Sequence, residues 1–140
     1  MNTQLITPKS KENIKQAREV WVQTTNQLLD QITDWVSAKK WTVQRETRVI
    51  NEEVLGAYTV SDAVINTPQG ELKLEVMARG VPEAAGRVEL SAWPTLFRVI
   101  LLHHASQPDW TIYTDSGISL RQPWTQETFL TLVEDLLAAS

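Results

Sequence analysis

The chain has no cysteine and only five glycines among its 140 residues. Without thiols no disulfide framework can form, which accords with a reducing compartment. The glycines form no phosphate-cradling loop, and no serine is flanked by glycines in the manner of a nucleophile elbow. Histidine is scarcer still. His103 and His104 are the only two, and consecutive residues on a strand point to opposite faces, so the pair is badly placed to share a metal ion. A strand end is expected there, with no metal centre and no cofactor. Nowhere do eighteen apolar residues run together, and MNTQLITPKSKEN holds no apolar core of signal-peptide length. We therefore expect a soluble, cytoplasmic protein with no membrane partner. The formal charge of −4 lacks the basic excess that displaces counterions from phosphates, making nucleic acid an unlikely ligand. Lys9, Lys11, Lys15 and Arg18 do cluster, but Glu12 and Glu19 sit among them, as on a solvated, salt-bridged helix face.

What the chain does have is periodicity. After a loose tail over residues 1–6, Thr7-Pro8 starts a helix, with threonine as cap and proline at the first helical position. Ile14, Trp21, Leu28 and Trp35 then recur every seven residues, and Val20, Leu29, Ile32 and Val36 widen the stripe as far as about Ala38 to Lys40. That broadening, with Gln31 in the seam, favours packing along a sheet over a coiled-coil dimer. Residues 41–50 (WTVQRETRVI) alternate, Trp41, Val43 and Val49 on one side and Gln44, Glu46 and Arg48 on the other. Arg45 and Thr47 dilute the apolar side, which places this strand toward a sheet edge, where charge discourages pairing with another chain. Strands follow at 87–92, 96–102, 110–115 and 118–120. Thr125 caps a last helix, and Trp124 with Phe129 forms a hydrophobic staple. The fold expected is a single α+β domain over 1–140: a long N-terminal helix, an antiparallel meander of six or seven strands, and a C-terminal helix, both helices packed on the sheet.

The centre of the meander is a hairpin over 57–79 that turns at Thr67-Pro68-Gln69-Gly70. Apolar alternation favours a loop with Gly70 as a bulge, in which Tyr58, Val60 and Val64 share a face with Leu72, Leu74, Val76 and Ala78. Closing the turn between Thr67 and Gly70 would instead set those residues beside Glu71, Lys73 and Glu75. Asp62 followed across the turn by Glu71-Leu72-Lys73 resembles the core of the PD-(D/E)xK nuclease family. The resemblance covers three residues, and Ser61 stands where the family has proline. It implies two carboxylates on a divalent metal and a lysine assisting the attacking water. The bulged register puts Asp62 on the face opposite Glu71 and Lys73. Asp62 would then be a carboxylate on an apolar face, needing a partner, and Arg98 is the residue expected to supply it.

Six tryptophans in so short a chain include Trp93, Trp110 and Trp124, each within two residues of a proline at the end of a sheet element. They either plug the ends of the core or line the mouth of a binding groove. The function expected is a protein-interaction or accessory module without catalytic activity. Its binding candidates are Trp93, Trp110, Trp124, Asp62 and Arg98, and monomer or dimer is left open. The alternatives are a metal-dependent hydrolase built on Asp62, Glu71 and Lys73, or a small-ligand cup between the long helix and the sheet.

Overall fold

The computed structural model describes residues 8–53, 55–77, 86–92, 98–103, 109–114 and 122–138, with only the backbone of 8–12 and 114. Helix α1 (Pro8–Ser37) is followed by strands β1 (Thr42–Glu52), β2 (Gly56–Thr67), β3 (Gly70–Val76), β4 (Gly86–Ala92), β5 (Arg98–His103), β6 (Trp110–Thr114) and β7 (Gln122–Pro123), then helix α2 (Gln126–Ala138). The strands form one antiparallel sheet in chain order. The α+β meander between two helices is the architecture expected. Thr7, the 1–6 tail, Trp93, His104 and the 118–120 strand lie outside the described residues, where β7 is the last strand.

The core follows from strand alternation. Leu72, Leu74 and Val76 pair with Ala92, Leu90 and Val88, and Val88, Leu101 and Ile112 continue the row. All are buried. Both helices sit on this face. Trp21 lies over Gly86, where an added Cβ would come within 2.2 Å of the indole, and Leu137 of α2 approaches Gly70. Leu28, Leu29, Ile32 and Val36 complete the buried stripe of α1, but Val20 turns outward. Helix α1 ends as a Schellman motif: the Trp41 and Lys40 N–H groups donate to the Val36 and Ser37 carbonyls, with Lys40 at φ 62°.

Helix α2 begins as its sequence implies. The Thr128 N–H donates to Thr125 Oγ1 and the Thr125 N–H to Thr128 Oγ1, a reciprocal cap with threonine in the place of glutamate. Trp124 meets Phe129 edge-on at 5.2 Å, closing the staple, and both rings pack on Trp35 of α1.

The central hairpin departs from expectation. Thr67 pairs with Gly70, Ile65 with Leu72 and Ala63 with Leu74, so the two-residue turn is the one formed. Thr67 Oγ1 accepts from the Gln69 N–H and donates to the Gly70 carbonyl, while Gly70 holds φ 147°. The departure has a physical origin: burial along β2 changes phase. Tyr58, Val60 and Asp62 are buried in its first half, Ala63 and Ile65 in its second. No single apolar face runs the length of the strand, which buries first one face and then the other. The same switch corrects β1, in which Val49 is exposed, Ile50 is buried and Arg48 is half-buried.

Candidate functional site

At the phase switch β2 parts from β3, since their main-chain pairing stops at Ala63 and Leu74. Side chains take over there. Asp62 Oδ1 accepts from the Val76 N–H at 2.9 Å. Arg48 donates through Nε and Nη2 to the two Asp62 oxygens at 2.7 and 3.2 Å, and Nη2 also reaches the Val76 carbonyl at 2.5 Å. The fork thus supplies β3 with the acceptor and donor that β2 no longer offers, as satisfaction of buried main-chain groups requires. The hydrogen bond to Asp62 raises the Arg48 pKa against the opposing effect of burial, and the charges of Asp62 and Glu75 add to the rise.

The partner expected for Asp62 was Arg98, and this is corrected. Arg98 opens β5, three strands from Asp62, a span of about 14 Å at the usual strand spacing. Its Nη1 lies 3.4 Å from Glu89, and Arg87 Nη2 holds the same Glu89 at 2.6 Å. These groups share the sheet face opposite the helices. Glu75 and Glu89 stand directly across from each other, an arrangement that repels. Arg87 and Arg98 offset it on one side, Arg48 on the other.

The same register shows where the nuclease-like trio falls. Glu71 is level with Asn66 and Lys73 with Val64. Asp62 is therefore four residues along β2 from the level of Glu71, about 13 Å, far more than one Mg²⁺ with its ~2.1 Å bonds can bridge. The two-residue turn gives Asp62 the alternation phase of Glu71 and Lys73, but its oxygens are held by Arg48 and Val76. Among the described residues no group of three acidic, histidine or cysteine side chains is placed to hold a metal.

Of the tryptophans, Trp110 and Trp124 converge at the β6 and β7 edge, lining a polar groove of about 350 Å³ with Gln27, Gln31, His103 and Asp109. Both rings are buried. Trp110 packs on Trp21 and His103, and Trp124 Nε1 donates to Gln31 Oε1 at 2.7 Å. Gln31, a break in the helical seam by sequence, is the acceptor for a buried indole. Between α1 and the sheet, Trp21, Leu28, Leu29, Ile32 and Val36 fill the interior, while an open groove of about 580 Å³ lies between Arg18, Val22, Asn26 and Asp30 of α1 and Tyr58 of β2.

Sequence reasoning passed over Arg48, Glu75, Arg87 and Glu89. Their signal was available only through register, since pairing Glu75 with Glu89 requires knowing how β3 meets β4. No family model, no curated protein and no solved structure matches this chain.

Proposed function

We propose that the protein is a cytoplasmic interaction module that binds a protein partner through the sheet face opposite its helices, without catalysis of its own. The observation that carries this reading is the composition of that face on β5 and β6. Ile100 pairs with Tyr113 and Leu102 with Thr111 on the face opposite the helices, where Ile100, Leu102 and Tyr113 are half-buried and Thr111 is buried, bordered by the Arg87, Glu89 and Arg98 cluster. Tyrosine and arginine beside aliphatic side chains are the residue types that anchor protein interfaces. Affinity capture from the native cell lysate, run in parallel with wild type and a Leu102→Glu, Tyr113→Ala variant, tests it. A stoichiometric partner retained by wild type and lost by the folded variant is the expected result. Equal retention by both, or none by either, overturns the assignment of this face.

A further inference from the structure

Among the described residues the sheet has two edges of very different character. At one end β7 is two residues long and includes Pro123, which has no N–H to offer a neighbour. At the other, β1 runs eleven residues without proline or glycine, and among the described residues it pairs with β2 alone. Among the described residues no main-chain group of Val43–Asn51 bonds outside that ladder. Most of its side chains, Gln44 through Thr47 among them, are exposed. An open edge of this length is a template for another strand.

The geometry points to a second copy of this chain as the strand that fills it, joined antiparallel about a twofold axis at Thr47. An antiparallel strand sends the main chain of alternate residues to opposite sides, so self-pairing must set outward residues against outward residues. Registers centred on a residue meet that condition. The one centred on Thr47 places Thr42 across from Glu52 and so overlaps all of β1. It also sets Glu46 of each copy against Arg48 of the other. Centring on Glu46 or on Arg48 would instead oppose two like charges.

Three features of the single chain fit this register. Glu46 is exposed and has no ion pair among the described residues, whereas Arg45 is held by Asp30 at 2.6 Å. Arg48 uses Nε and Nη2 on its own chain, which leaves Nη1 for Glu46 of the second copy. Val49 is 59% exposed, and Val20 is the one other large apolar side chain so exposed among the described residues. In the Thr47 register Val49 lies across from Arg45, whose aliphatic stem covers it. The charges expected to keep β1 solitary thus select one mate and one register. A twofold pairing of this long edge also closes the assembly, leaving the proline-bearing β7 edges as the outer ones among the described residues.

Sedimentation of the full chain over a range of about 1 to 300 µM, across the weak affinities usual for so limited an interface, reads the association. Wild type is expected to dimerise. Glu46→Arg, which turns two attractions into two repulsions, weakens the dimer by at least about tenfold while leaving the circular dichroism spectrum unchanged. Because the chain has no cysteine of its own, Thr47→Cys introduces a single thiol at the axis, where opposed Cα atoms about 5 Å apart suit a disulfide. Mild oxidation then gives a covalent dimer. Asn51→Cys, eight residues and about 27 Å from its symmetry mate, does not. A monomer at every concentration, a dimer indifferent to Glu46→Arg, or cross-linking no faster through position 47 than 51 each overturns the proposal.

Discussion

Replacing Arg48 with methionine keeps the length of the side chain and removes the fork. The Asp62 side chain, 11% exposed, is left with the Val76 N–H alone, and the Val76 carbonyl loses its donor. Breaking a fully buried pair by deleting one member costs about 3–5 kcal/mol. Arg48 is 39% exposed, so water reaches the vacated end and the expected loss falls to about 2–3 kcal/mol. Urea unfolding followed by tryptophan fluorescence measures it as a lower midpoint at unchanged slope. The double variant Arg48→Met, Asp62→Leu is the sharper test. Most of the penalty in the single variant is an uncompensated carboxylate, so removing that carboxylate returns part of the loss, though the Val76 N–H is then orphaned. If Arg48→Met unfolds within about 0.5 kcal/mol of wild type, the range of ordinary surface substitutions, or if the double variant is weaker than the sum of the singles, the fork is not what holds β3 at this point.

The hydrogen bond to Asp62 raises the Arg48 pKa, so its contribution is complete below the unfolded guanidinium value and disappears only as pH rises through the folded one. A urea midpoint difference between wild type and Arg48→Met that stays constant from about pH 6 to 9 is the expected result. Lys40→Gly relieves a side chain held at φ 62° and is expected to raise the melting temperature, by roughly 1 kcal/mol of stability; an unchanged or lowered melt argues against the Schellman cap. Gly86→Ala drives a methyl into the Trp21 indole and is expected to destabilise by about 1–3 kcal/mol, with a shift in tryptophan emission. Thr125→Ala removes the α2 cap and is expected to cost about 1 kcal/mol in the same urea assay.

Local signals carried the element order: the seven-residue spacing of Ile14, Trp21, Leu28 and Trp35 marked α1, and Thr125 with Trp124 and Phe129 marked the start of α2. Register was harder to read because it depends on which face is buried, and β2 changes that face between Asp62 and Ala63. With the bulged turn, Asp62 stands as an isolated carboxylate on an apolar face, and a distant arginine is its natural partner. Its real partner lies two residues from Glu46, the residue directly across the β1–β2 ladder. Trp110 and Trp124 illustrate a different limit, since a ring beside a proline at a strand end has the same sequence signature whether it plugs a core or lines a groove.

The order of the strands along the sheet bears on how the chain reaches its native state. Each strand pairs with its predecessor, so the sheet can grow from hairpins of short loop-closure distance during synthesis. The two helices cannot complete their contact so early. Gln31 and Trp124, 93 residues apart, and the rings of Trp35 and Phe129 meet only after every strand between them has emerged. Until then the Trp35 end of the core lacks its cover, and a nascent chain stalled before α2 is expected to present that apolar surface to chaperones while its sheet is already formed.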